Sequence, residues 1–191
     1  MSNNLIETDQ LIRREADEIL HQKGLLSLLK MYGIPHIAGS YVLQLMTWRD
    51  LDIYLEADEI VETRFFHLGG QIAATLCPVK MHFRNERIGQ SEGLPSGLYW
   101  GVYLGDERRG DWKIDVWALD GDQCQQAIDY EADLARRLTP ETRLSILEIK
   151  SQCWQDPGYR RSFSSQDIYR AVLDEGVTNM NEFEAFLKRW R

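Results

Sequence analysis

Two aspartates stand two residues apart in the apolar segment 50–55. Because successive side chains of a strand point to opposite faces, Asp50 and Asp52 share one face and the apolar residues of the segment share the other. A third acid, Asp115, lies in the middle of a second apolar segment, 111–119. Three carboxylates converging from two strands would form an oxygen-rich site of the kind that Mg²⁺ prefers when it also holds the phosphates of a substrate.

The pair Gly39-Ser40 precedes these aspartates and directly follows the apolar segment 34–38. Glycine lets the backbone approach a phosphate closely, and the amides at the start of a helix favour an anion. Ser40 can cap such a helix or donate to a phosphate oxygen. A Gly-Ser pair and an Asp-x-Asp pair are each common, so the functional interpretation depends on their occurring together.

Taken in order, Gly39, Ser40, Asp50, Asp52 and Asp115 resemble the signature of the nucleotidyltransferase superfamily, which has the fold of DNA polymerase beta. The resemblance extends to small stand-alone members such as antibiotic nucleotidyltransferases. It implies that Gly39 and Ser40 hold the terminal phosphates of a nucleotide. It also implies that the three aspartates bind two divalent ions, Mg²⁺ or Mn²⁺, and that Asp115 helps to activate the attacking hydroxyl.

The chain departs from the family pattern after Ser40, where residues 41–44 lack the basic residue and second glycine of many members. We assign two nearby cations, Arg49 and Lys113, as nucleotide-binding residues in their place. Lys113 shares a face with Asp115 by strand alternation, so contact with a phosphate and pairing with a carboxylate are both open. Arg49, which directly precedes the first acid of the pair, also suits a surface ion pair.

The composition of the chain indicates which kinds of binding partner and metal site are to be expected. With 191 residues, 43% of them hydrophobic, the chain can bury a sizeable core. Its formal charge of -8 disfavours a nucleic-acid partner, which usually needs a basic stripe, and favours a small-molecule acceptor. The three cysteines and four histidines show neither Cys-x-x-Cys nor metal-ligand spacing, so a disulfide framework or a zinc site is not indicated.

No leader or membrane anchor is predicted. The first residues lack a basic region followed by an apolar stretch, and no apolar run approaches the ~20 residues that span a bilayer. We therefore expect a cytoplasmic protein without a membrane partner.

The alternation of apolar residues predicts an α/β (α+β) fold, in which a mixed sheet is flanked by helices and followed by a C-terminal helical region. We expect a nucleotidyltransferase-like core with N-terminal helices over residues 1–120 and a helical region over 121–191. Predicted strands cover 34–38, 50–55, 79–84, 98–104 and 111–119. Predicted helices cover 5–29 with a break at Gly24, then 40–47, 58–76, 122–138, 139–157, 164–176 and 181–190. The pair Gly69-Gly70 is expected to weaken the helix 58–76.

The first functional hypothesis is a metal-dependent nucleotidyltransferase. An acceptor hydroxyl, deprotonated with help from Asp115, would attack the α-phosphate of a nucleoside triphosphate, with ATP as the expected donor. Pyrophosphate would leave on ions held by Asp50 and Asp52, and the acidic chain favours a small, cationic acceptor. The alternatives are a protein-modifying nucleotidyltransferase and a non-catalytic nucleotide-binding or scaffold protein with the same fold. The intact acids argue against the last, because buried like charges are costly unless a cation neutralises them.

Overall fold

A five-stranded mixed sheet forms the centre of the computed structural model, which describes residues 2–58 and 60–190. The strands are β1 (Ile34–Ala38), β2 (Asp50–Glu56), β3 (Lys80–Asn85), β4 (Leu98–Tyr103) and β5 (Lys113–Leu119). Their spatial order is β1-β2-β5-β4-β3. Strands β2 and β5 run parallel, and the other neighbouring pairs run antiparallel. The predicted mixed sheet is confirmed.

Helices flank this sheet and make up the C-terminal third of the chain, as the sequence predicts. They are α1 (Ser2–Asp17), which continues in a π-helical turn (Glu18–Gln22), α2 (Leu25–Leu29), α3 (Gly39–Leu43), α4 (Glu62–Leu76), α5 (Glu86–Gly89), α6 (Gly121–Arg137), α7 (Pro140–Cys153), α8 (Ser165–Glu175) and α9 (Met180–Trp190). No helix of residues 2–58 and 60–190 is long and apolar enough to cross a bilayer.

Single residues in the left-handed region decide two helix boundaries. Gly24, with φ of 81°, separates the first helical segment from α2, as predicted. The predicted helix 40–47 is too long, because Gln44 adopts a φ of 56° and ends α3 at Leu43. The residues after this cap form an extended connection that leads into β2.

Two large hydrophobic clusters hold these elements together, and a smaller one forms around Tyr99 and Trp117. The first lies under the sheet and includes the apolar residues of β2 and β5 that alternate with the acids. The second is built from the C-terminal helices, and it includes Leu43, Leu45 and Trp48 from the α3–β2 connection. The segment that leads into the acid-bearing strand is therefore anchored by the helical region. The division at residue 120 stays a prediction.

Helix α4 runs through Gly69-Gly70 without a break, although the sequence pattern suggested that these glycines would weaken it. At Gly69 an added Cβ would lie 2.6 Å from the Trp100 ring. That ring is fixed, since its Nε1 donates to the Phe65 carbonyl oxygen at 3.1 Å and it stacks on the Phe65 ring. Gly69 is thus required for the close approach of the helix to β4.

We expect Gly69→Ala to destabilise the fold by about 1–3 kcal/mol, because the new methyl group overlaps a ring that cannot move aside. Gly70→Ala is the matched control, since an added Cβ there meets nothing within 4 Å. In this position alanine stabilises a helix by about 0.5–1 kcal/mol relative to glycine. Urea unfolding of both variants should give free-energy changes of opposite sign, and a Gly69→Ala protein as stable as the wild type would contradict the close contact.

Candidate active site

The three predicted acids lie side by side on β2 and β5. In the parallel register Asp52 is opposite Asp115, and Asp50 is opposite Lys113. The side chains of Asp50 and Asp115 are 18% and 15% exposed, whereas the apolar residues between the acids are fully buried. The strand alternation therefore places the carboxylates on one face of the sheet, as the sequence predicts.

Lys113 lies between two of these carboxylates. Its Nζ donates to Oδ1 of Asp50 at 3.2 Å and to Oδ2 of Asp115. Burial opposes the charge of this side chain, which is only 7% exposed, but the two carboxylates raise its pKa well above the usual value. Of the two roles left open by the sequence, pairing with carboxylates is the one that the structure shows.

The ammonium group also affects the metal-binding capacity of the acids. Among residues 2–58 and 60–190, no group of three or more His, Cys, Asp or Glu side chains is arranged to hold a metal ion. A cation already lies between Asp50 and Asp115, so these two carboxylates face Lys113 rather than a shared empty centre.

Asp52 is the acid with the most perturbed titration. Burial, together with the negative charges of Asp50 and Asp115, raises its pKa to about 8. Its carboxylate lies directly against the backbone of Gly39, where an added Cβ would overlap it. Gly39 also has a φ of 65°, so both its conformation and its neighbour require glycine at this position.

Asp115 has hydrogen-bond partners at both oxygens. The Tyr99 hydroxyl donates to its Oδ1 at 2.8 Å, while Lys113 donates to Oδ2. Burial raises the pKa of Asp115, although the charge of Lys113 opposes this shift. A carboxylate that is held in place and has a raised pKa suits a group that takes a proton from a hydroxyl.

The Gly39-Ser40 pair opens α3 beside the acids, and both residues bind side chains from the C-terminal helices. The Gly39 N–H donates to Oε1 of Glu131 on α6 at 2.7 Å. Ser40 Oγ accepts from Nζ of Lys150 on α7 at 2.6 Å, and the same Nζ donates to the Leu45 carbonyl oxygen at 2.8 Å. Lys150 is fully buried.

Sequence reasoning missed Glu131 and Lys150, although both carried a signal. Lys150 follows Ile146 by four residues and precedes Cys153 by three, so a lysine stands on the apolar face of α7. Glu131 precedes the buried Leu134 by three residues, so this carboxylate likewise stands on the apolar face of its helix, α6. A charged residue on an apolar helix face is rarely buried unless it is paired, which makes each a candidate for a polar site.

Part of this set lines a cavity of about 140 Å³, whereas Asp115, Lys113 and Lys150 are not among its lining residues. It is lined by Gly39, Ser40, Asp50, Asp52 and Glu131, among others. This volume is below the roughly 300–1,000 Å³ of sites that enclose a drug-sized ligand. Wider clefts of about 310 Å³ and 350 Å³ adjoin it and share Tyr130 with it. The small cavity thus suits one end of a ligand whose remainder extends into a neighbouring cleft.

Arg49 does not line this cavity. Its guanidinium donates to Glu15 through Nη2 at 2.7 Å and to the Gly110 carbonyl oxygen at 3.2 Å. It therefore connects α1 to the β4–β5 hairpin, and the structure does not place it beside Gly39 and Ser40.

Another cation, Arg160, which belongs to a local basic segment of the sequence and was not assigned to this site, lies at its edge instead. The Arg160 guanidinium lies 4.5 Å from the centroid of the Trp48 ring, which lines the cavity, and donates to Glu107 at 2.9 Å. Burial opposes its charge, but Asp50 and Glu107 raise its pKa. Arg160 also has a φ of 63°, a conformation that non-glycine residues adopt infrequently.

Comparison with known proteins assigns no family to this chain. No protein-family model matches it, and no curated protein is significantly similar to it. Function is therefore inferred from the acids on β2 and β5, their hydrogen-bond partners and the residues that line the cavity.

Proposed function

We propose that this protein is a metal-dependent nucleotidyltransferase that transfers a nucleoside monophosphate from a nucleoside triphosphate to a hydroxyl of a small-molecule acceptor. The observation that carries the proposal is the placement of Asp50, Asp52 and Asp115 on adjacent parallel strands, next to Gly39-Ser40 at the start of α3. Carboxylates on one side and phosphate-accepting groups on the other are the two halves of a nucleotidyl-transfer site. ATP is the expected donor.

The acids fit a divalent cation by their chemistry. Carboxylate oxygens are the ligands that Mg²⁺ and Mn²⁺ prefer, and Asp50 and Asp52 would hold the ion. The raised pKa of Asp52 supports this assignment, because burial and the negative charges of Asp50 and Asp115 destabilise its ionised form, which a bound cation would stabilise. When bound, such an ion supplies Lewis acidity to the phosphate oxygens.

The phosphate side of the site has its own cation. The Lys150 ammonium is buried against Ser40 and supplies the positive charge that is absent from residues 41–44. Charge-assisted hydrogen bonds of this kind are shorter and stronger than neutral ones. The Glu131 carboxylate has to leave the Gly39 amide before a phosphate oxygen can accept from that N–H, so triphosphate binding would include a movement of this side chain.

The acceptor side is built around Asp115. Its carboxylate helps to remove the proton of the acceptor hydroxyl, whose oxygen then forms a bond to the α-phosphorus. The bond from that phosphorus to the bridging oxygen of the β-phosphate breaks, and pyrophosphate leaves. Tyr99 orients the Asp115 carboxylate through its hydrogen bond. The net charge of -8 favours a neutral or cationic acceptor over a polyanion.

A second candidate is a non-catalytic nucleotide-binding or scaffold protein with the same fold. The buried Lys113 favours it, because this side chain neutralises part of the acidic cluster without an added ion. Both candidates bind a nucleotide, and only the first releases pyrophosphate.

Calorimetric titration with each of the four ribonucleoside triphosphates, with Mg²⁺, with Mn²⁺ and with a chelator, tests the proposal. We expect one triphosphate to bind in a metal-dependent way and Asp52→Asn to weaken this binding at least about 100-fold, since one charged ligand is lost. Asp122→Asn is the control, because Asp122 is exposed in the first turn of α6. Failure of every triphosphate to bind would contradict nucleotidyl transfer, and binding without pyrophosphate release across an acceptor screen would favour the scaffold.

A further inference from the structure

The Lys113 ammonium occupies a position that a metal ion would otherwise take between two carboxylates. We infer that Lys113 replaces one of the two divalent ions expected at such a site, so that the protein binds a single divalent ion together with the triphosphate. This inference rests on the proposed nucleotidyltransferase function and concerns the number of ions that the site holds.

The hydrogen bonds of the acids favour one ion. Lys113 Nζ lies 3.2 Å from Oδ1 of Asp50 and within hydrogen-bond distance of Oδ2 of Asp115. The other oxygen of Asp115 accepts from Tyr99 at 2.8 Å, so both of its oxygens are engaged. In contrast, no side chain of the described residues donates a hydrogen bond to Asp52. The acids therefore divide into Asp50 and Asp115, which Lys113 holds, and Asp52, to which Lys113 makes no hydrogen bond.

The backbone position and burial of Lys113 hold its ammonium group between the carboxylates of Asp50 and Asp115. Its backbone N–H donates to the Arg49 carbonyl oxygen at 3.0 Å, and the residue lies in register with Asp50 on the neighbouring strand. The side chain lies within the acidic cluster and, being only 7% exposed, has little access to solvent. Withdrawal of the ammonium would leave two partly buried carboxylates without a cationic partner, which is costly.

Charge balance agrees with this assignment. When the ion is bound and Asp52 has released its proton, three ionised carboxylates and one ammonium leave two negative charges, which one divalent cation neutralises. A second divalent ion in the same space would have to displace Lys113 or lie close to its positive charge. Loss of the two ion pairs of Lys113 disfavours the displacement, and Coulomb repulsion disfavours the close approach.

The experiment is a count of bound Mn²⁺ on the full chain in the presence of the non-hydrolysable α,β-methylene analogue of ATP. Equilibrium dialysis gives the stoichiometry, and electron paramagnetic resonance reports whether two Mn²⁺ ions lie close enough to couple. We expect one Mn²⁺ per ternary complex without coupling for the wild type. Lys113→Met should bind two coupled Mn²⁺ ions, whereas Lys113→Arg should retain one.

The exposed Lys80 on β3 provides the matched control, and Lys80→Met should behave as the wild type does. Two coupled ions in the wild type would overturn the inference and leave nucleotidyl transfer standing. One ion in both the wild type and a folded Lys113→Met variant would also overturn it, because Lys113 would then not exclude the second ion. Absence of analogue-dependent Mn²⁺ binding in every variant would overturn the proposed function and the inference together. The wild-type count remains decisive if Lys113→Met does not fold.

Discussion

Replacement of Asp52 by asparagine is expected to stabilise the metal-free protein increasingly from pH 4 to pH 8, by at most about 5–6 kcal/mol at pH 8, and to have little effect near pH 4. In the folded state the pKa of Asp52 is about 8, compared with its ordinary value of 3.8. Between these values the folded protein holds a proton that the unfolded chain has released, so wild-type stability falls as the pH rises. Asparagine has no proton to lose and does not incur this loss.

The free energy of unfolding, measured by urea denaturation with a chelator at several pH values, checks this expectation. The difference between Asp52→Asn and the wild type should grow by at most about 1.4 kcal/mol per pH unit from pH 4 to pH 8 and then level off. Asp122→Asn should show no such growth, because its carboxylate is exposed on α6. A free-energy difference between Asp52→Asn and the wild type that does not change with pH would show that the pKa of Asp52 is not raised in the folded protein.

Mg²⁺ and triphosphate should counteract the stabilising effect of the substitution. A ligand that binds only the folded state stabilises it, and the wild type has the carboxylate that the variant lacks. Unfolding at pH 8 in excess Mg²⁺ and triphosphate should therefore show a larger gain for the wild type than for Asp52→Asn. The same substitution would thus raise the stability of the free protein and reduce the further stabilisation that the ligands provide.

Lys150→Met is expected to weaken triphosphate binding by about 30–100-fold, which corresponds to the loss of about 2–3 kcal/mol from a hydrogen bond to a charged group. Methionine fills a similar volume but carries no charge, so Ser40, which lines the cavity, loses its cationic partner. The Leu45 carbonyl oxygen also loses its donor, and we expect about 1–3 kcal/mol of destabilisation from this.

Titration calorimetry gives the affinity of Lys150→Met, and urea unfolding shows whether the variant is folded at the temperature of the titration. Lys30→Met controls for the removal of one positive charge, since Lys30 is exposed at the end of α2. Lys150→Arg keeps the charge and should retain part of the affinity. A folded Lys150→Met protein that binds triphosphate as the wild type does would exclude Lys150 from the phosphate site.

Local patterns were sufficient to predict the sheet. The predicted strand 34–38 coincides with β1, and the segment 50–55 lies within β2, because apolar alternation over a short segment reports directly which face is buried. The same rule placed Asp50 and Asp52 on one face. Helix ends were less predictable, since the left-handed φ of Gln44 is set by how the α3–β2 connection packs on the helical region.

Contacts between residues far apart in the sequence could not be predicted from the periodicity of apolar residues. Ser40 and Lys150 are separated by 110 positions, and Gly39 and Glu131 by 92. A repeat of apolar residues shows that α6 and α7 have a buried face, but it does not show which element covers that face. The predicted role for Arg49 depended on nearness along the chain, and its partner Glu15 lies on α1.

The packing of α1 on α7 has a consequence for the order in which the protein can acquire its structure. Leu5 contributes to the cluster of the C-terminal helices, and the Asp9 carboxylate accepts from the Met46 N–H at 2.8 Å. During synthesis the first helix leaves the ribosome well before the residues of α7 that cover it. Completion of the native packing therefore waits for the last third of the chain, and the nascent protein exposes apolar surface until then.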